Sequence, residues 1–84
     1  MWEAEIIVTL KEGVLDPQGK AIQGGLKALG LTGVQEVRVG KFIRVRLEAE
    51  NEEAARRDAE TMCSRLLANP VIEQYRYQVR EVAP

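Results

Sequence analysis

The side chains that could do chemistry are few. Cys63 is the only cysteine, and the chain has no histidine. A thiol becomes a nucleophile when a base or a positive field holds it as thiolate. Cys63 instead falls in line with Ala55, Ala59, Met62, Leu66 and Leu67 at helical spacing, which reads as a small apolar core residue. Ser64 has no base partner either. A lone cysteine rules out an intrachain disulfide, and without histidine a zinc site of the Cys/His type is excluded. The glycines match neither the dinucleotide fingerprint nor the phosphate loop; Gly19-Lys20 and Gly40-Lys41 are bare dipeptides. Glu50, Glu52 and Glu53 could suggest a cation site, but acidic side chains at a helix start complement its dipole. Arg38, Arg44 and Arg46 form a basic row flanked by Glu36 and Glu48, with only Phe42 available for base stacking. A solvated or salt-bridged face accounts for that row better than an RNA platform does. No catalytic, cofactor-binding or metal-ligating residue is expected.

Length and charge set the frame for these residues. The chain has 84 residues and is read as a single domain, 1–84. A lone core of this size supplies roughly 3–5 kcal/mol, and with no disulfide or zinc the remaining stabiliser is self-association. Twelve basic and thirteen acidic residues leave a net charge of -1, which gives no general pull towards nucleic acid or an anionic membrane. The opening MWEAEIIVTL lacks the basic start of a signal peptide, and no apolar run approaches the ~20 residues of a membrane span. The expectation is a soluble, cytoplasmic protein without nucleic-acid or membrane partners.

Five elements must position whatever the chain presents. Residues 2–10 alternate, with Trp2, Ala4, Ile6, Val8 and Leu10 on one face and Glu3, Glu5, Ile7 and Thr9 on the other. Asp16-Pro17 starts a helix that runs to about Leu29, with Ile22, Leu26 and Leu29 as its apolar stripe. The stretch Val34–Glu50 alternates again, with Val37, Val39, Lys41, Ile43, Val45 and Leu47 sharing one parity. It fits either a hairpin with the loop Gly40-Lys41-Phe42 or one long strand bent at Gly40. A second helix follows Asn51 and stops at Asn69-Pro70, and the last strand, Val71–Val82, carries Tyr75, Tyr77 and Val79 on one face.

This order predicts an α+β fold, a two-layer ferredoxin-like sandwich with an antiparallel-rich sheet and both helices on one face. A hairpin would complete β-α-β-β-α-β within one chain; a long strand would let its halves serve two subunits in an intertwined dimer. Ile7 and Phe42 form an apolar patch among charges on the wet sheet face and are the candidate dimer contacts. Lys11, Glu12, Asp16, Gly40 and Lys41 are the candidate contacts for other partners. Lys41 stands out because it occupies an apolar slot in the alternation, so it either reaches solvent at a bend or meets an acidic group.

Four segments carry a resemblance: VTLKEGVLDPQGKAI from Val8, VQEVRVGKFIRVRLE from Val34, NEEAARRDAETMCSRLLANPVIE from Asn51, and YRYQV after it. Together they resemble the PurS family, the small subunit of phosphoribosylformylglycinamidine (FGAM) synthase, over about residues 3–80. The resemblance implies a homodimer, possibly pairing further, with no active site and no cofactor of its own. ATP and Mg would be used by the assembly, and the partners would be the large synthase subunit and the glutaminase subunit. A rival reading is a regulatory dimer that binds a small ligand at its subunit interface, for which only fold analogy speaks.

Overall fold

The computed structural model describes residues 1–84. Strand β1 (Trp2–Leu10) lies in the middle of a three-stranded antiparallel sheet, between β2 (Gly40–Leu47) and β3 (Glu73–Glu81). The alternation in β1 decides both faces. Ile6 stands opposite Ile43 and Tyr77, and Ala4 stands opposite Val45 and Val79, so these residues line the inner face. On the outer face Glu3 lies between Arg46 and Arg80, Glu5 between Arg44 and Gln78, and Ile7 between Phe42 and Arg76.

Helix α2 (Glu52–Met62) covers the inner face and passes at its end into a single π turn, Cys63–Leu67. Asn51 starts it, its side-chain oxygen accepting the Ala54 N–H at 2.8 Å, with Glu52 and Glu53 in the first turn. Ala55, Ala59 and Cys63 recur every four residues and are fully buried against Ala4, Ile6 and Val8. Small side chains on this seam let the helix backbone approach the sheet closely. The π turn then re-phases the helix, because Ala68 N–H bonds to the Cys63 carbonyl one residue further back than in an α-helix. Leu66, expected in the buried stripe, is consequently 82% exposed, while Leu67 stays half-buried.

Helix α1 (Pro17–Ala28) differs from the expectation that both helices lie on the sheet. Gly19 is its only buried residue, and Ile22, Leu29 and Leu31 are 41%, 77% and 51% exposed. The start of α1 is committed elsewhere: a Cβ on Gly19 would stand 2.1 Å from the Val37 carbonyl oxygen, so helix backbone and residue 37 touch directly. The helix therefore forms an arm. The radius of gyration is 16.5 Å, against about 12 Å for a compact chain of this length. Within the chain α2 alone covers the sheet, and Ile43, Val45 and Leu47 on β2 remain only half-buried.

The middle stretch forms neither the hairpin nor an unbroken strand within the chain. β2 begins at Gly40, and residues 34–39 pair with no strand. Their polar groups find partners around α1 instead. Gln23 donates to the Gln35 carbonyl at 3.0 Å, and Val39 N–H donates to Asp16 Oδ2 at 2.7 Å. Gly40 has a steric reason, since a Cβ there would stand 2.6 Å from the Val8 carbonyl oxygen.

Candidate interaction surfaces

Three surfaces collect the residues that the fold leaves available. The first is the end of the sheet where α1 begins. Asp16 is buried there and does two jobs, with Oδ1 accepting Gly19 N–H at 2.8 Å and Oδ2 accepting Val39 N–H. These two backbone bonds, Val39 first and Gly19 second, hold its carboxyl below the ordinary value of 3.8. Arg38, grouped in the sequence with Arg44 and Arg46 as one basic row, turns into this corner because residues 34–39 are outside the sheet. It donates to the Val14 carbonyl at 3.0 Å and to the Lys11 carbonyl at 3.1 Å. Lys11 Nζ donates to the Pro70 carbonyl at 2.7 Å, which ties the turn before β3.

Of the two outcomes open to Lys41, solvent or an acidic group, it combines both. Its ammonium is 3.8 Å from Glu73 Oε2, with the lysine side chain still more than half exposed. Gly40 and Lys41 share a cleft of about 440 Å³ with Asp16, Val39 and Glu73. The five residues singled out in the sequence as partner contacts thus gather at one end of the molecule. Lys11, Asp16, Gly40 and Lys41 have internal partners or packing reasons there, and Glu12 is exposed beside them.

A pH dependence follows from Asp16. A carboxyl whose folded value is depressed adds stability above its unfolded value and loses it as pH falls through the folded one. The protection of the Val39 and Gly19 amides, relative to intrinsic exchange at the same pH, should be high at neutral pH and fall below pH 3.8 as Asp16 protonates. Asp16→Asn should already exchange fast at neutral pH and show a flatter profile. Equal protection in both proteins across the range would show that Asp16 does not latch the arm.

The second surface is the apolar side of the arm, Ile22, Leu26 and Leu29, together with the half-open inner face of β2. Its missing cover is the central fact of the isolated chain. The third is the outer sheet face, where Phe42 is 58% exposed beside half-buried Ile7. There Glu3 is buried under Arg80, 2.9 Å away, and Arg46 donates to the Ala83 carbonyl at 2.7 Å.

The reactive-looking groups sit apart from all three. The Cys63 thiol is fully buried, and burial with the nearby Glu60 carboxylate pushes its pKa up, away from thiolate. Cys63→Ser should cost mild stability through packing and leave assembly intact. Loss of assembly by a folded Cys63→Ser protein would overturn the core reading. Glu60 gathers two phenols, Tyr75 directly and Tyr77 at 3.1 Å; its hydrogen bond and burial raise Tyr75 to about 12. The sequence held no signal for this cluster, because Glu60 and the tyrosines meet only once α2 lies on β3. No group of three His, Cys, Asp or Glu side chains could hold a metal ion, and no helix is long and apolar enough to cross a membrane.

Comparison with known proteins places this architecture. The sequence model of the family described as PurS, phosphoribosylformylglycinamidine (FGAM) synthase, matches residues 3–81. The phosphoribosylformylglycinamidine synthase subunit PurS of Synechocystis is 49% identical over 78 residues, covering 93% of this chain and 78% of that one. The crystal structure of PurS from Methanocaldococcus jannaschii superposes with a TM-score of 0.88 at 44% identity, over 99% of this chain and 100% of that one. A chain in the structure of PurLQS from Thermotoga maritima superposes with a TM-score of 0.84 at 33% identity, over 95% of this chain and 99% of that one. With a family match along nearly the whole chain and a shared fold at these identities, the chain belongs to the PurS family.

Proposed function

We propose that this chain is the non-catalytic structural subunit of an FGAM synthase, acting in the cytoplasm to hold a large synthase subunit and a glutaminase subunit together. The single observation that carries this is the likeness, along 95% of the chain, to a chain in the PurLQS structure. ATP and Mg are then used by the assembly, with no cofactor on this chain. The end of the molecule that gathers Lys11, Glu12, Asp16, Gly40 and Lys41 serves as the docking point for the larger chains, with Lys11, Glu12 and Lys41 the exposed charged side chains there.

The working form is a homodimer. A ferredoxin-like sandwich needs a second helix over β2 and a fourth strand beside it. The chain carries both, in α1 and residues 34–39, but points them away from its own sheet. A second copy completes the layer: its arm covers Ile43, Val45 and Leu47, and its residues 34–39 lie along the free edge of β2. The parity is compatible with this: a register that sets Val39 opposite Ile43 and Val37 opposite Val45 puts all four on the apolar face.

Reconstitution tests the reading. Glutamine-dependent FGAM formation should require all three purified chains, and this chain alone should neither hydrolyse ATP nor release ammonia from glutamine. Full activity from the large subunit and glutaminase without this chain would overturn it.

A further inference from the structure

We propose that the outer face of the sheet, centred on Phe42, docks an acidic protein segment with an apolar anchor, contributed by one of the larger chains of the synthase. The proposal rests on the subunit reading above and names the chemistry of one of its contacts.

The face is built of four layers of cross-strand partners, at Glu3, Glu5, Ile7 and Thr9, and the Ile7 layer differs from its neighbours. Ile7 and Phe42 stand opposite each other, the only apolar residues among charges and amides. Below them Glu3 is matched by Arg80, and Glu5 accepts from Gln78 at 2.9 Å, so the acidic groups of the face are already engaged. Arg44 and Arg76 border the apolar pair, are exposed, and form no salt bridge. A hollow of about 310 Å³ lies between Phe42, Ile7 and Arg76, floored by Glu5 and Gln78. A second hollow of about 220 Å³ continues past Ile7 towards Thr9 and Gln74. An apolar side chain fits against Phe42, and carboxylates on either side of it would reach the two unpaired guanidinium groups, which suit carboxylates bidentately.

Charge selects among possible occupants. Four arginines face two glutamates across this surface, on a chain whose net charge is -1. A second copy would bring the same excess of arginine, and like charges oppose that pairing. An RNA strand would want several stacking aromatics, and Phe42 is the only exposed one here. The dimer proposed above uses the inner face and the β2 edge, so this face stays open in it. The patch also adjoins Gly40 and Lys41, the end already assigned to the larger chains.

The test uses the assembled dimer with the purified large subunit and glutaminase of the same organism. Titration calorimetry compares wild type with Arg76→Glu, Arg44→Glu and Phe42→Ala, and with Arg57→Glu on the far side of α2 as control. Each outer-face variant should weaken assembly about tenfold, the charge reversals more so at low salt, while Arg57→Glu and the dimer itself are unaffected. Unchanged assembly overturns the proposal, as does dissociation of the dimer, which would make the face a contact between copies. Retention of a labelled single-stranded RNA by wild type and its loss in Arg76→Glu would also overturn it, by assigning the face to nucleic acid. If wild type itself fails to join the larger chains, the subunit reading falls first and the proposal with it.

Discussion

The double variant Ile22→Asp/Leu29→Asp is expected to sediment as a monomer at concentrations where the wild type is dimeric. Both side chains lie on the arm, 41% and 77% exposed in the single chain, with no part of their own sheet to cover them. Burying such a side chain fully stabilises by about 1.5–3 kcal/mol. Losing two such contacts raises the dissociation constant of the dimer by at least about a hundredfold. Two carboxylates placed against Ile43, Val45 and Leu47 of the partner add a desolvation cost. The melting temperature of the variant should also lose its dependence on protein concentration, since dimerisation no longer contributes to stability. A variant that remains dimeric with wild-type stability would remove the arm from the interface.

Gly19→Ala carries the second large effect, and its sign runs against helix propensity. In an exposed helix interior, replacing glycine with alanine stabilises by about 1 kcal/mol. At position 19 the new Cβ would stand 2.1 Å from the Val37 carbonyl oxygen, a backbone atom that no rotamer change can move aside. Overpacking of this kind costs about 1–3 kcal/mol or more. The clash pushes residues 37–39 off the start of α1 and strains the Asp16 bond to Val39 N–H. Gly24→Ala is the matched control, because its Cβ meets nothing within 4 Å, so it should raise the melting temperature. Chemical denaturation of the two variants side by side reads the contrast. A stabilised Gly19→Ala protein would show that the helix start and residue 37 are not held together.

Legibility was uneven across the candidate surfaces. Asp16 was readable as a helix cap from its place before Pro17, but its second oxygen on Val39 was not. Lys41 was readable as a misfit in an apolar slot, and Glu73 as the answer to it was not, because the two lie on strands separated by β1. Arg38 was read with Arg44 and Arg46 as one row, which held only for the residues from Gly40 onward that pair in the sheet.

By itself the sequence determined what each element must bury: alternation sorted the faces of β1, β2 and β3, and Ala55, Ala59 and Cys63 marked the seam of α2. It also determined that no histidine or second thiol is present. Only the tertiary structure decided what each face meets. Periodicity is a local property, recording which side of an element is apolar without naming its partner. The stripe of α1 had to be buried somewhere, and its placement turned on non-local competition among backbone groups. The Val39 N–H is taken by Asp16 and the Val37 carbonyl rests on Gly19, so residues 34–39 stay with α1 instead of folding back on β2. That choice between a closed chain and an extended arm depends on a few directed contacts between distant residues, which no window along the chain contains.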